Sequence, residues 1–229
     1  MNFGIVVFPG TWSDRDCNFA LKSIDGIKTT YLWHKETSIK GIDAIVLPGG
    51  FSHGDYLRAG AIASLSPIMK EIINLSNKGM PVIGICNGFQ ILCESGLLPG
   101  ALIRNKNLKF KCSDVYLKTN QITKFSNKIK KDAIIKIPIS HGEGNYQASR
   151  KDLNDIKNND QILFTYCSMD GDEDAQNNPN GSALNIAGIT NTQGNVLGMM
   201  PHPERSSSLE LGSEDGNLIF ESMFKSFSS

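Results

Sequence analysis

The sequence lacks several features that would assign it to common classes of protein. Its 229 residues carry 23 basic and 23 acidic side chains, so no net charge favours binding to nucleic acid or to an anionic membrane. No apolar run approaches the length of a membrane span, and neither a repeat nor a linker-like stretch divides the chain. We therefore expect a single domain, residues 1–229, with enough volume for a large core.

The cysteine pattern excludes a disulfide framework. The five cysteines are odd in number and show no Cys-x-x-Cys spacing, and no secretory leader is evident at Met1. These observations predict free thiols in a reducing compartment, the cytoplasm. The sequence also lacks a P-loop, and residues 140–146 (SHGEGNY) lack the third glycine of a dinucleotide fingerprint. We expect this chain to hold no metal and no cofactor of its own.

One stretch departs from the even balance of charge. Residues 104–136 contain ten basic and two acidic side chains. Aromatic residues are sparse there, although a groove for nucleic acid would need them for stacking. We interpret this stretch as a solvated strand face, suited at most to an acidic protein partner.

The periodicity of the sequence predicts an α/β fold. Apolar runs alternate with helical spacing in the first half, which is typical of a parallel sheet covered on both faces. Strands are predicted at residues 3–8, 29–33, 43–47, 81–85, 109–111, 115–117, 133–139, 161–166, 182–190 and 195–200. Helices are predicted at residues 13–24, 67–75, 89–94, 151–158 and 215–227. The predicted fold class is three-layer α/β and flavodoxin-like, with a mostly parallel sheet, helices on both faces and a small antiparallel strand region.

Residues 81–90 (PVIGICNGFQ) form the centre of the candidate site. An apolar, β-branched run enters a turn at Cys86, which has a glycine two residues before it and another two residues after it. This is the nucleophile-elbow pattern with sulfur in place of oxygen. Side chains at Gly84 and Gly88 would collide in so sharp a turn. The turn would aim Cys86 into a crevice at a helix N-terminus, where the dipole favours the thiolate. A small buried core residue is the alternative interpretation of this cysteine.

A second glycine-rich stretch, residues 48–55 (PGGFSHGD), follows the third predicted strand. Standing alone it would be interpreted as a surface turn. In a parallel sheet, however, the carboxyl ends of neighbouring strands meet at one edge, so this loop is expected to lie beside Cys86. A glycine N–H can approach a reacting oxygen without a side chain intervening, which makes the loop a candidate oxyanion hole.

The third stretch, residues 201–205 (PHPER), follows the last predicted strand. Prolines at 201 and 203 are expected to hold the backbone extended and to bar a helix. In extended chain His202 and Glu204 share a face, so the carboxylate can orient the imidazole. That is the base-and-orienter part of a nucleophilic triad. A surface histidine beside a glutamate is the alternative interpretation.

With these motifs together, residues 84–90 (GICNGFQ) and 201–204 (PHPE) resemble the class I, or triad, glutamine amidotransferases. Further stretches resemble one subfamily, the glutaminase subunits of phosphoribosylformylglycinamidine synthase in purine biosynthesis. They are residues 48–61 (PGGFSHGDYLRAGA), 140–144 (SHGEG) and 198–205 (GMMPHPER). The resemblance covers nearly the whole chain.

The sequence departs from the subfamily pattern at two places. The first loop, residues 11–13 (TWS), lacks the usual asparagine, and His53 stands where tyrosine is usual. Neither departure touches the triad, so only details of the contact with a partner subunit are in question.

The resemblance implies a catalytic triad. Cys86 would be the nucleophile, His202 the general base and acid, and Glu204 the residue that orients His202. Cys86 would attack the side-chain amide of glutamine, ammonia would leave with a proton from His202, and water would hydrolyse the γ-glutamyl thioester.

The resemblance also implies residues that bind the substrate. The oxyanion hole would consist of the backbone N–H groups of Gly50 and Asn87. Gln90, His141 and Gly142 would hold the glutamine.

By the same resemblance the partners are a large synthetase subunit, which uses ATP and magnesium, and a small third subunit. Ammonia would pass to the synthetase through a protected path, and the isolated chain is expected to be a poor glutaminase. Two alternatives remain open from the sequence. One is a glutaminase for another acceptor, as in pyridoxal phosphate synthesis, and the other is a non-catalytic glutamine-binding regulatory subunit.

Overall fold

The computed structural model describes residues 1–228. Within them the chain forms eleven β-strands and six α-helices. The strands are β1 (Asn2–Val7), β2 (Lys28–Trp33), β3 (Ala44–Leu47), β4 (Val82–Ile85), β5 (Ala101–Ile103), β6 (Lys111–Thr119), β7 (Ile134–His141), β8 (Asn145–Gln147), β9 (Ile162–Cys167), β10 (Ile186–Thr190) and β11 (Val196–Met199). The helices are α1 (Asp14–Lys22), α2 (Ala61–Ser64), α3 (Pro67–Asn77), α4 (Asn87–Glu94), α5 (Arg150–Asn158) and α6 (Asn217–Phe227).

Nine of the strands form one continuous sheet in the order β2-β1-β3-β4-β11-β10-β9-β6-β7. The five strands from β2 to β11 are parallel, and the pairs from β11 onward to β7 are antiparallel. Strands β5 and β8 form a separate antiparallel pair. The predicted α/β class is confirmed, and the antiparallel part is larger than expected.

The parallel strands at the centre of the sheet are buried along their whole length. Every residue of β3 (AIVL), β4 (VIGI) and β11 (VLGM) is buried, which explains why these runs show no polar alternation. In contrast, β7 alternates between buried and half-buried residues and lies at the edge of the sheet. Its Pro138 is tolerated there because an edge strand can lack one ladder hydrogen bond.

The helices pack against the sheet in two groups. Helix α1 contacts β1, β2 and α6, whereas α4 contacts β3, β4, β11 and α2. Pro67 occupies the first turn of α3, where its missing N–H costs no helical hydrogen bond. Among residues 1–228, no helix combines the length and the apolar character needed to cross a bilayer.

Two local expectations were wrong, and two short strands were missed. Residues 109 and 110 lie outside any strand, because β6 begins at Lys111. Residues 183–185 form a 3-10 turn before β10, with Leu184 at φ 52°, so the predicted strand starts at Ile186 instead. The strands β5 and β8 were not predicted, since three residues each are too few to show a period.

Candidate active site

The predicted elbow is present between β4 and α4. Cys86 adopts φ 52° and ψ −104°, a conformation that side-chain-bearing residues rarely populate. Its N–H donates to the carbonyl oxygen of Met199 at 2.8 Å, and its own carbonyl accepts from the N–H of Gln90 at 3.1 Å. Hydrogen bonds on both sides of the turn therefore hold the strained residue in place.

The two flanking glycines are required by close backbone packing. A Cβ atom at Gly84 would lie 2.6 Å from the carbonyl oxygen of Gly88. A Cβ atom at Gly88 would collide with the carbonyl oxygen of Leu47, on the neighbouring strand β3. The collision expected from the sequence is confirmed. The close approach of Gly88 to Leu47 also shows that α4 can lie so near the sheet only because residue 88 has no side chain.

Cys86 lines a cavity of about 380 Å³ at the carboxyl edge of the parallel strands. Its thiol lies 3.7 Å from the carbonyl oxygen of Ser140. Of the other predicted site residues, those that line the same cavity are Gly50, Gln90, His141, Gly142 and His202. The structure thus brings together loops from four distant parts of the sequence around one sulfur atom.

His202 and Glu204 form a buried pair behind the cavity. The Nδ1 atom of His202 lies 2.6 Å from Oε1 of Glu204, and both side chains are buried. The Nε2 atom of His202 has no hydrogen-bond partner among residues 1–228. Because Nδ1 is held by the carboxylate, Nε2 is the atom left to exchange protons in the cavity.

The backbone route to this pair differs from the expectation. Residues Pro203–Arg205 form a 3-10 turn with His202 as its N-cap, so the chain is not extended there. Proline bars a helix interior but suits a first turn, where its fixed φ is already helical. The N–H of His202 donates to the carbonyl oxygen of Pro138 at 2.8 Å, which anchors the turn to the edge strand β7.

The environment of His202 favours its protonated form. Burial disfavours the charge, but the carboxylate of Glu204 and the thiolate of Cys86 outweigh burial and raise the pKa of His202 to about 10. His202 therefore carries a proton at neutral pH whenever Cys86 is a thiolate. An imidazolium beside a thiolate is the charge state that attacks an amide and then protonates the leaving nitrogen.

The candidate oxyanion hole consists of two backbone N–H groups. Asn87 is the first residue of α4, so its N–H has no acceptor within the helix. The N–H of Gly50 makes no hydrogen bond within the described part of the chain. A Cβ atom at Gly50 would lie 2.6 Å from the carbonyl oxygen of Gly10, so only glycine fits this close approach.

The side chain of Gln90 is already occupied at both ends. Its Oε1 accepts from Nδ2 of Asn87 at 2.9 Å, and its Nε2 donates to the carbonyl oxygen of Glu143 at 2.7 Å. Gln90 therefore links α4 to the loop after β7 and lines the cavity from that position. Its contact with glutamine stays a prediction.

His141 is held in one tautomer by a residue that the sequence analysis missed. Nδ2 of Asn105 donates to the carbonyl oxygens of Lys109 and His141, so its Oδ1 is the acceptor for Nδ1 of His141 at 3.1 Å. Oδ1 also accepts from the N–H of Gly144. The proton thus lies on Nδ1, and Nε2 of His141 keeps a free lone pair.

Burial, together with the charge of His202, lowers the pKa of His141 to about 4. His141 is therefore neutral at neutral pH and acts only as an acceptor through Nε2.

Several further residues line the cavity without having been given a role from the sequence. They are Trp12, Ser13, Phe51, Asp55, Phe110, Ser140, Glu143 and Arg205. Asp55 and Glu143 lie inside two of the motifs quoted above. The sequence therefore indicated that they lie near the site but did not indicate a role for them. Ser13 occupies the N-cap position of α1 and makes no capping bond, and its hydroxyl accepts a hydrogen bond from Arg205 at 3.0 Å.

Comparisons with known proteins agree with this geometry. The family model described as CobB/CobQ-like glutamine amidotransferase domain matches residues 1–215. Phosphoribosylformylglycinamidine synthase subunit PurQ of Chlorobaculum parvum is 53% identical, over 98% of this chain and 89% of its own length. The same subunit of Moorella thermoacetica is 53% identical, over 97% of this chain and 95% of its own length.

Among solved structures, a chain in the structure of PurLQS from Thermotoga maritima superposes with a TM-score of 0.87. It is 39% identical, and the match covers 98% of this chain and 97% of that chain. An elbow cysteine and a histidine–glutamate pair on one parallel sheet are the features of the triad glutamine amidotransferases.

The chain belongs to the CobB/CobQ-like glutamine amidotransferase family. Within it, the chain belongs with the PurQ subunits of phosphoribosylformylglycinamidine synthase.

Proposed function

We propose that the chain is a glutaminase that supplies ammonia for the conversion of formylglycinamide ribonucleotide to formylglycinamidine ribonucleotide. The observation that carries the proposal is the shared cavity of Cys86 and His202, with Glu204 bonded to the far side of the imidazole. Together these groups provide a nucleophile, a proton donor and an orienting charge.

In the acylation step the thiolate of Cys86 attacks the side-chain amide carbon of glutamine. A carbon–sulfur bond forms, and the carbonyl oxygen becomes an oxyanion that the N–H groups of Gly50 and Asn87 stabilise. The carbon–nitrogen bond then breaks, and His202 gives its proton to the departing ammonia.

In the deacylation step water attacks the thioester, and Nε2 of His202 takes one of its protons. The carbon–sulfur bond breaks, glutamate leaves, and the thiolate of Cys86 is restored beside the imidazolium. The cycle returns both residues to their starting charge, so the chain needs no cofactor for this half-reaction.

The synthetase half-reaction requires partners. ATP and magnesium would be used by a large synthetase subunit, because the present sequence has no nucleotide-binding fingerprint. A small third subunit would complete the complex, and the assembly would be cytoplasmic. The likeness to a chain of PurLQS supports these partners, and the names of the relatives favour the purine acceptor over pyridoxal phosphate synthesis.

The decisive test compares two nitrogen sources in the assembled complex. Amidine formation is measured with glutamine and, separately, with ammonium salt, for the wild type and Cys86→Ala. We expect the variant to lose glutamine-dependent formation and to keep ammonia-dependent formation, because the synthetase site is intact.

Cys93→Ala is the matched control, because Cys93 is a second thiol on the same helix α4 and lies outside the cavity. It is expected to retain both activities. Glutamine-dependent formation that survives in Cys86→Ala would contradict the proposed function, and so would a wild-type complex that uses only ammonia.

A further inference from the structure

A second cavity lies between residues 106–111 and 175–185 and shares no lining residue with the cavity that contains Cys86. Its volume is about 520 Å³, which is within the usual range for small-molecule sites. The residues that line it are Lys106, Asn107, Lys111, Ala175, Gln176, Asn178, Pro179, Asn180, Gly181 and Asn185. None of them has a role in the glutaminase chemistry described above.

The lining of the second cavity carries positive charge that no carboxylate neutralises. It includes Lys106 and Lys111 and no acidic side chain. Within residues 1–228 neither lysine takes part in an ion pair. The neighbouring acidic run, residues 170–174, does not line the cavity, and its Glu173 lies 3.5 Å from Lys118 instead. Two unpaired ammonium groups on one cavity favour an anionic ligand, and phosphate is the anion that lysine commonly binds.

Hydrogen bonds hold the walls of this cavity in place without a ligand. Oδ1 of Asn178 accepts from the N–H groups of Asn180 and Gly181 at 3.2 and 2.7 Å. Nδ2 of Asn178 donates to Oδ1 of Asn185 at 2.8 Å. The N–H of Lys106 donates to the carbonyl oxygen of Asn180 at 2.8 Å and so joins the two walls. A cavity that is already ordered loses less conformational entropy when a ligand binds.

The remaining side chains suit hydroxyl groups better than an aromatic base. Five of the ten lining residues carry a carboxamide, and none is aromatic. Amide groups both donate and accept hydrogen bonds, as the hydroxyl groups of a sugar do. A strand of nucleic acid would instead need aromatic side chains on which its bases could stack. Asn107 and Gln176 are exposed, and Oδ1 of Asn107 accepts from the N–H of Lys109, which leaves its Nδ2 for a ligand.

We propose that the second cavity binds a phosphorylated sugar. Lys106 and Lys111 bind the phosphate group, and the carboxamides of Asn107 and Gln176 bind the sugar hydroxyls. The site is separate from the cavity of Cys86, so the inference does not depend on the proposed function.

The test measures binding to the purified full chain by isothermal titration calorimetry, with ribose 5-phosphate as the probe. Ribose, inorganic phosphate and a short oligouridylate are the comparison ligands. We expect the Kd of ribose 5-phosphate to be at least about tenfold lower than that of inorganic phosphate, because the hydroxyl groups add hydrogen bonds. Ribose should not bind measurably, since it lacks the charge, and added salt should weaken the binding of ribose 5-phosphate.

Lys106→Gln and Lys111→Gln each remove one charge from the cavity. In each variant we expect the Kd of ribose 5-phosphate to rise about 5- to 20-fold, as for the loss of a charge-assisted hydrogen bond. Because the two lysines belong to different parts of the same wall, either variant alone tests the site if the other fails to fold. Lys151→Gln is the matched control, because Lys151 is an exposed lysine on α5 outside the cavity, and it should leave the Kd unchanged.

Equal affinity for inorganic phosphate and ribose 5-phosphate would overturn the inference, because the cavity would then attract any anion through charge alone. Tighter binding of the oligouridylate, no binding of ribose 5-phosphate, or lysine variants that bind as the wild type does would overturn it as well. None of these measurements involves glutamine, so the proposed function is tested separately.

Discussion

Nδ1 of His202 lies 2.6 Å from Oε1 of Glu204, and a 3-10 turn that starts with Pro203 brings the two side chains together. The carboxylate therefore does two things. It fixes the orientation of the imidazole, and it raises the pKa of His202 against the opposing effect of burial.

Glu204→Gln removes the charge and keeps the size of the side chain. We expect kcat of glutamine-dependent amidine formation to fall by about 100-fold or more, because the buried imidazolium loses its counter-charge. The pKa of His202 should fall, so the alkaline limb of the pH–rate profile should move to lower pH. Glu210→Gln, on an exposed turn, is the control. An unchanged profile in Glu204→Gln would rule out the role of Glu204.

Cys86 is expected to react selectively with an electrophilic glutamine analogue. The cavity would place the analogue's reactive carbon at Cys86, whereas burial raises the pKa of both Cys17 and Cys93 and makes them inert. Mass spectrometry of digested protein should show label on Cys86, and excess glutamine should prevent it. Cys112 is exposed and serves as the internal control. Label on Cys112 that equals label on Cys86 would mean that the cavity does not recognise glutamine.

His141 makes folding stability depend on pH. Its pKa is near 4 in the folded chain and 6.5 in an unfolded one, so the stabilisation is present above pH 6.5 and is lost as pH falls through 4. The full loss is about 3 kcal/mol, or about 1 kcal/mol by pH 5.5. Urea unfolding at pH 7.5, 5.5 and 4 should show this loss in the wild type.

His141→Gln keeps a donor for Asn105 but cannot titrate. Its unfolding free energy should therefore fall less steeply with acid than that of the wild type. The contributions of other titrating groups, such as His34, cancel from the comparison because both proteins contain them. Parallel curves for the two proteins would contradict the assigned cause.

Gly88→Ala tests the packing of the elbow. The added methyl would meet the carbonyl oxygen of Leu47, which belongs to a central strand and cannot move away cheaply. We expect a loss of about 3 kcal/mol in the free energy of unfolding. Gly96→Ala is the control, because its Cβ would meet open space and the cost is only that of the left-handed backbone, about 1 kcal/mol. Equal losses would refute the steric argument.

The isolated chain is expected to be a poor glutaminase. The rim of its cavity includes Trp12 and Phe110, both largely exposed, so bound substrate stays in contact with water until a partner covers it. Glutamate release should therefore be slow for the purified chain and should rise at least about tenfold when the synthetase and the small subunit are added. Strong activity that the partners leave unchanged would contradict this expectation.

Local patterns were sufficient to predict the elbow and the parallel strands. The glycines around Cys86 are required by a sharp local turn, and the unbroken apolar runs of β3 and β4 are required by burial. A short window of sequence is enough to show both patterns. Strands β10 and β11 were likewise predicted from their apolar runs, and they pair in antiparallel register.

Features that depend on distant residues were missed. Asn105 fixes the tautomer of His141 across 36 positions of the chain, and no periodicity marks it. The turn at Pro203 was missed for a different reason. Proline was taken as a barrier to helical backbone, although it favours a first turn, and the bond to Pro138 that selects the turn joins residues far apart in sequence.

Strands β4 and β11 are neighbours in register, with Ile85 opposite Met199. Cys86 follows β4 at once, and His202 lies three residues after the end of β11. The pairing of these strands, together with the hydrogen bond from the N–H of His202 to the carbonyl oxygen of Pro138, holds the two residues at one edge of the sheet. A partner that switches the enzyme on need not move either group. It has only to act on the loops around these paired strands. Acceptor choice and regulation can therefore change over evolution while the relative positions of Cys86 and His202 are kept.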